Sequence, residues 1–221
     1  NVINGNVLVS RSTVVAGNYI GLNAAGTAAL MTGSFNLGIQ FGNATLGARI
    51  GTNADGIADA AERNVISGLY GWGIVSTGGP LAIAGNYIGT NPAGTSPIPN
   101  QQGVYLTSAA TGVRIGTNAD GINDATESNL ISGNTVAGVQ ISNGSSTNVV
   151  AGNLIGTNSD GTGAVANAIG VTIDVGASSN TIGGTTVAAR NVISGNAGIG
   201  LQSSGAGAGN VVRGNFFGVN A

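Results

Sequence analysis

The stretch Arg63-Asn64-Val65-Ile66-Ser67-Gly68 contains the three-residue word that decides the fold, namely an Asn, an apolar residue and an Ile. This word recurs along the whole chain. Its copies begin at Asn1, Asn18, Asn64, Asn86, Asn129, Asn153 and Asn191, with a near copy at Asn215. Every second copy lies 62 to 68 residues after the previous one. The spacing therefore predicts a repeat built from two alternating types of coil.

A second word, a Gly followed by a short alternating apolar run, marks another part of the coil. Its copies lie at 38–41, 103–106, 138–141 and 170–173. A further apolar run begins ten residues after each of these, at 48–51, 113–116, 148–151 and 180–183. Alternation with a period of two is typical of β-strands. We therefore predict three strands per coil, called A (led by Gly), B, and C (led by Asn).

The composition supports many short strands and excludes several chemistries. The 221 residues include 41 Gly and 27 Asn, only 6% are charged, and the chain has no Cys, His or Lys. Ordinary domains contain about 7% Gly and about 25% charged residues. Disulfides, thiolate or imidazole metal sites, and Cys or Lys nucleophiles are therefore impossible. Because 42% of the residues are hydrophobic, the chain is also unlike a disordered one.

The net charge and the lengths of the apolar runs limit the kinds of partner that this chain can have. The net charge is −2 and no basic run occurs, so we expect no nucleic-acid binding. No apolar run reaches about 18 residues, so we expect no membrane insertion. The chain begins inside a repeat word rather than at a Met. We therefore expect residues 1–221 to form a single β-helix domain that is a fragment of a longer protein.

The Asn and Ile of strand C have the same parity, so both are predicted to point inward. The Ile residues would stack into the core, and the Asn side chains would stack into a ladder in which each amide bonds the next. The predicted ladder contains Asn18, Asn64, Asn86, Asn129, Asn153, Asn191 and Asn215. The intervening residues, such as Val65 and Tyr87, would point outward. We predict that insertions carrying Ile57, Ile98, Ile122 and Val165 fold back over them.

The words at 50–56 and 63–68 resemble the right-handed parallel β-helix repeats of large bacterial secreted and cell-surface proteins of the adhesin type. The resemblance covers essentially the whole chain. It implies an all-β, right-handed parallel β-helix, a β-solenoid of seven to eight coils with insertions flanking one sheet. It also implies an extracellular or cell-surface location. Pectate lyases, polygalacturonases, phage tailspikes and adhesins share this architecture, so the resemblance says little about activity.

Two insertions between strands B and C are nearly identical and hold six of the eight acidic residues. Their oxygen-bearing side chains match the spacing of extracellular calcium loops, and hard cations prefer such oxygen ligands. The candidate Ca²⁺ ligands are Asn53, Asp55, Asp59 and Glu62 in the first, and Asn118, Asp120, Asp124 and Glu127 in the second. In the alternative reading, Asp55 and Asp120 cap turns, and Glu62 and Glu127 either begin a helical turn or pair with Arg49 and Arg114. The third insertion of this type, 184–190, has no acid and should bind no ion.

Two functional hypotheses remain open. The first is a non-catalytic structural or adhesive segment, stiffened by calcium, whose partners are neighbouring coils or copies of itself stacked end to end into a filament. The second is a polysaccharide-active lyase or glycoside hydrolase module. Hydrolysis needs paired carboxylates, and Asp174 is alone on its strand. We therefore assign no catalytic residue. Outward residues of strand A, Gln40, Tyr105, Gln140 and Thr172, could contact a glycan or form solvated sheet surface.

Overall fold

The computed structural model describes residues 1–30, 33, 35–44 and 47–219, and these residues form a parallel β-solenoid. Strands A, B and C of successive coils make three parallel sheets, called sheets A, B and C. Sheet A contains β2 (Val7–Arg11), β5 (Ile39–Ala44), β8 (Trp72–Ser76), β11 (Gln102–Leu106), β14 (Ala137–Ile141), β17 (Ile169–Asp174) and β20 (Leu201–Ser204). Sheet B contains β3 (Val14–Val15), β6 (Arg49–Gly51), β9 (Leu81–Ala84), β12 (Val113–Gly116), β15 (Val149–Ala151), β18 (Thr181–Gly183) and β21 (Val211–Arg213). Sheet C contains β1 (Val2–Ile3), β4 (Tyr19–Ile20), β7 (Val65–Ile66), β10 (Tyr87–Ile88), β13 (Leu130–Ile131), β16 (Leu154–Ile155), β19 (Val192–Ile193) and β22 (Phe216–Phe217).

This arrangement confirms the predicted fold class. In the described part of the chain, seven complete coils meet across six interfaces, and β1 adds a strand to sheet C. From the first strand of sheet A to the last, the stack makes about six turns, which is slightly fewer than the seven to eight coils predicted. The only helices among these residues are two single turns, α1 (Asp59–Glu62) and α2 (Asp124–Glu127). Both lie in the acidic insertions.

The core is a continuous column of aliphatic side chains inside the three sheets. In sheet C, Ile20, Ile66, Ile88, Ile131 and Ile155 are all fully buried. The strand pairing places each of these Ile residues opposite the next. At the last coil the column ends in Phe217, which is 45% exposed. Each coil therefore buries its apolar side chains against the coils above and below rather than against a separate layer.

The predicted asparagine ladder is confirmed and runs through all eight strands of sheet C. Asn64 shows the pattern: its Nδ2 donates to Oδ1 of Asn86 at 2.9 Å and to the Val15 carbonyl at 2.9 Å. Its Oδ1 accepts from both Nδ2 and the backbone N–H of Asn18, at 3.0 and 3.1 Å. Every hydrogen-bonding position of the buried carboxamide is filled, as the burial of a polar group requires.

Two further ladders stand at the other corners of the coil. Before strand A, Nδ2 of each Asn donates to Oδ1 of the next in the series Asn100, Asn134, Asn167 and Asn196. Before strand B, the same bonds join Asn148, Asn180 and Asn210. The sequence prediction missed both. In the later coils of the described chain, each corner is thus fixed by the same interaction.

Glycine is required where strand B turns into strand C. Gly51, Gly116 and Gly183 end their strands with φ values of +98°, +97° and +89°, a region that side chains disfavour. A Cβ at Gly116 would collide with the Ala151 carbonyl and the Asn153 amide of the adjacent coil. The coils of β6, β12 and β18 therefore need a residue without a side chain beside the ladder, whereas Ala84 and Ala151 hold the equivalent position in the alternate coils.

The insertions cover the outer side of strand C only in part. Those that follow strand C pack on it: Val165 is 5% exposed, and Leu130 beneath this layer is 2% exposed. The prediction is wrong for the acidic insertions, because Ile57 and Ile122 are 74% and 65% exposed at the loop tips. Short helical turns direct these tips away from the sheet. On this outer side of strand C, the Arg63 guanidinium packs on Tyr87 in place of these tips, 4.2 Å from the centre of the ring.

Substituting one Asn in the middle of the main ladder tests its contribution to stability. Asn129→Ala removes four buried hydrogen bonds. The backbone N–H and Nδ2 of Asn86 lose the Oδ1 acceptor, and the Ile83 carbonyl and Oδ1 of Asn153 lose the Nδ2 donor. Oδ1 of Asn153 keeps only its bond from the backbone N–H of residue 129. Buried groups left unpaired in this way cost about 1–3 kcal/mol each. We expect urea denaturation to show a loss of about 3 kcal/mol or more in the free energy of unfolding.

The matched control is Asn4→Ala, since Asn4 is exposed and lies outside the ladders. This variant should unfold within about 0.5 kcal/mol of the wild type. Equal losses for the two variants would show that the ladder contributes nothing specific.

Candidate functional site

The first candidate site is the pair of acidic insertions between sheets B and C. In the first loop, Asp55 accepts hydrogen bonds from Nδ2 of Asn53 at 2.9 Å and from the backbone N–H of Ile57 at 2.8 Å. Asp59 accepts from the Thr52 hydroxyl at 2.9 Å and from one backbone N–H of the loop at 3.2 Å. Both carboxylates therefore hold the turn around them.

The glutamate of each loop pairs with an arginine of the preceding strand B. Glu62 meets Arg49 through two hydrogen bonds of 3.0 and 3.2 Å, and it also accepts the backbone N–H of Asn53 at 2.9 Å. Glu127 meets Arg114 at 3.0 Å and accepts the backbone N–H of Asn118 at 2.8 Å. The pairing that we left as an alternative for these two residues is thus present. It ties the end of each loop to its sheet.

The second loop repeats the geometry of the first at every acidic position. Asp120 accepts from Nδ2 of Asn118 at 2.9 Å and from the Ile122 N–H at 2.8 Å. Asp124 accepts from the Thr117 hydroxyl at 2.7 Å. Because sequence and contacts repeat together, the loops are local structures dictated by their own residues.

The two loops also touch each other across the intervening coil. Nδ2 of Asn123 donates to the Ala54 carbonyl at 3.0 Å, and the Thr126 hydroxyl donates to Asp59 at 3.4 Å. The loops after strand C do the same, since the Ser159 hydroxyl donates to the Ala93 carbonyl at 3.0 Å. The insertions thus stack into a second layer whose period is two coils.

The predicted metal ligands are brought together within each loop but are turned toward donors of that loop. Across the described residues, no group of three or more Asp or Glu side chains converges in a way that could hold a metal ion. The arrangement can brace two turns and anchor them to sheet B. It places the six carboxylates in two separate groups rather than around one shared point.

The second candidate site is the outer face of sheet A. Here Tyr105, Gln140, Thr172 and Gln202 occupy one column, each opposite the next in adjacent strands. Three side chains form what we call the amide row. Nε2 of Gln102 donates to Oε1 of Gln140 at 3.0 Å, and Nε2 of Gln140 donates to Oδ2 of Asp174 at 2.9 Å.

A groove of about 320 Å³ borders the amide row at its Asp174 end. Its walls include Gln140, Thr172, Asp174 and Gln202, together with the apolar Val136. Asp174 is the only acidic residue on this face, because the other seven lie in insertions. The face therefore lacks the second carboxylate that glycoside hydrolysis requires.

An aromatic cluster lies at the other end of the same face. Trp72 opens β8, and its ring packs edge-on against Phe35 at 5.2 Å and against Tyr105 at 4.7 Å between ring centres. Tyr70 stands nearby and is 53% exposed. Sequence analysis identified Tyr105 and Gln140 but missed Trp72 and Gln102. Trp72 does stand in the strand-A position that Gln102 occupies one coil later.

No family model, curated protein or solved structure matches this chain. No helix among the described residues is both long and apolar enough to cross a membrane. The candidate sites are accordingly judged on their own geometry.

Proposed function

We propose that the chain is a non-catalytic structural segment, a stiff spacer whose outer surfaces are free to carry adhesive contacts. The observation that supports this proposal is the unbroken asparagine ladder from Asn1 to Asn215. Such a ladder fixes the position of every coil relative to the next. The six carboxylates of the acidic insertions are used in bracing turns, which also favours a structural role.

Stiffness can be measured between two spin labels in one column of sheet A. The chain contains no Cys, so Ser10→Cys and Ser204→Cys provide unique labelling sites. Both are exposed residues on the first and last strands of sheet A. Six steps of about 4.8 Å place their backbones about 29 Å apart.

Double electron–electron resonance should give one narrow distance distribution near that value, broadened only by the labels themselves. The distribution should stay narrow in urea concentrations below the unfolding transition. A broad distribution under native conditions would contradict the proposal. Continuous-wave spectra of the singly labelled Ser10→Cys and Ser204→Cys variants provide the control for label mobility.

Calcium binding by the acidic insertions is a further part of the proposal. It is supported by the oxygen-rich spacing of the two loops and by their exposed Asp55 and Asp120. If Ca²⁺ binds the folded state and not the unfolded chain, it must raise the Tm once its free concentration exceeds the Kd. We expect a higher Tm in millimolar Ca²⁺ than in a chelator.

The variant Asp55→Asn/Asp120→Asn should lose this response. The control Asp160→Asn, an acid in a turn of the other insertion type, should keep it. Identical melting curves of the wild type with Ca²⁺ and with chelator would contradict calcium binding. The acidic loops would then act only as hydrogen-bonded turns.

We also propose that the partners of this segment are further coils of the same repeat, in the same polypeptide or in another copy. Val212 and Phe217 belong to inward-facing columns, yet they are 44% and 45% exposed on the last coil. Open sheet edges and exposed core residues favour association.

Sedimentation velocity should show concentration-dependent assembly, which Val212→Lys/Phe217→Lys should reduce. A wild-type monomer at every concentration would contradict self-association.

The repeat words that resemble those of bacterial surface proteins favour an extracellular or cell-surface location for this segment. Antibody labelling of intact source cells should detect it there. Labelling only after the cells are opened would contradict this location.

A further inference from the structure

The outer face of sheet A combines features that a scaffold alone does not need. The chain has nine aromatic residues. Three of them, Phe35, Trp72 and Tyr105, pack ring against ring, and Tyr70 precedes Trp72 by two residues. Phe35 and Tyr70 are 58% and 53% exposed. Large exposed rings cost solvation free energy, and a group of them commonly marks a binding surface. Their flat apolar faces suit the C–H faces of sugar rings.

The amide row beside this cluster ends in two acceptors that lack donors. Oε1 of Gln102 and Oδ1 of Asp174 are buried and have no hydrogen-bond partner among the described residues. Leaving a buried acceptor unpaired is unfavourable. Both atoms are oxygens that accept hydrogen bonds, so a ligand that completes the row must bring donors such as hydroxyl groups.

The direction and charge of the face narrow the ligand class. The column of Tyr105, Gln140, Thr172 and Gln202 runs along the solenoid axis in steps of about 4.8 Å, which is comparable with the length of one hexose unit. No Arg lies in the strands from β8 to β20 of sheet A, while Asp174 carries a negative charge. An acidic polymer would therefore be repelled, whereas a neutral one would not.

We propose that this face, from Trp72 to Gln202, binds a neutral linear oligosaccharide that lies along the solenoid axis. The sugar rings stack on Trp72 and Tyr105, and their hydroxyl groups complete the amide row through Gln140 and Asp174. This inference rests on the proposed structural and adhesive function and gives that function a ligand class. It assigns no bond cleavage, in keeping with the single carboxylate on the face.

The test uses the only tryptophan of the chain as its probe. Trp72 lies inside the proposed site, so cellohexaose should cause a saturable change in its fluorescence with a Kd below about 1 mM. Tyr105→Ala and Gln140→Ala should each weaken binding about tenfold or more. The control Thr181→Ala, on the outer side of sheet B, should bind as the wild type does.

Circular dichroism of each variant establishes that the coil stack is retained before binding is compared. An absence of any saturable change up to about 10 mM cellohexaose would overturn the proposal. So would equal affinity in all three variants, or preferential binding of hexagalacturonate, an acidic saccharide of the same length. The spin-label distance is measured without ligand, so failure here leaves the scaffold function to be judged by that result.

Discussion

A buried carboxamide must have all its hydrogen bonds satisfied, and this constraint organises the solenoid. An Asn at a corner of one coil finds its partners in the coils above and below it, as Asn129 does with Asn86 and Asn153. A coil that slipped by one residue would leave these groups unpaired in the interior. A one-residue slip would also turn the inward Ile side chains outward, so the apolar alternation opposes it as well. A slip of two residues keeps the same face inward, and the ladders exclude that shift, while the aliphatic columns supply most of the burial.

The unusual composition follows from the separate roles of the asparagine ladders and the aliphatic columns. Asn is abundant because three corners of the coil use it, and Gly is abundant because the turns beside the ladders leave no room for a side chain. Charged residues are scarce because amide hydrogen bonds and apolar contacts, rather than ion pairs, hold the coils together. Most acids are placed in insertions, where they hold short turns, as Asp59 does with Thr52. The insertions then stack on one another with a period of two coils, which explains why the sequence repeat is a pair of coils.

The fold could be predicted from the sequence because its determinants recur at constant spacing. The word at Asn64 and its copies predicted the strands, the core column and the main ladder. The other ladders used the same residue type, and Asn148 and Asn180 even open two of the predicted strand-B segments. They were missed because Asn at turns is common for reasons unrelated to ladders. A search for Asn directly before each strand B would have found Asn148, Asn180 and Asn210, whereas the strand-A ladder lies three or four residues before the Gly of strand A.

Features that depend on contacts between neighbouring coils were harder to predict. The direction of Ile57 depends on a single helical turn, and no periodicity inside the insertion reveals it. The amide row joins Gln102 to Gln140, although the sheet pairs Gln102 with Ala137 and Gln140 with Tyr105. Such a diagonal contact depends on side-chain reach rather than on register. The aromatic cluster likewise forms because Phe35, from a loop, meets Trp72 at the start of a strand.

Hydrogen exchange of asparagine side-chain amides, followed by nuclear magnetic resonance, tests the ladder account most directly. Exchange of a buried, hydrogen-bonded amide requires opening of the structure. The account predicts that the Nδ2 protons of Asn86, Asn129 and Asn153 exchange far more slowly than those of the exposed Asn4. It also predicts that the ladder protons exchange together, at the rate of global unfolding. Ladder protons that exchange as fast as those of Asn4 in the folded protein would contradict it.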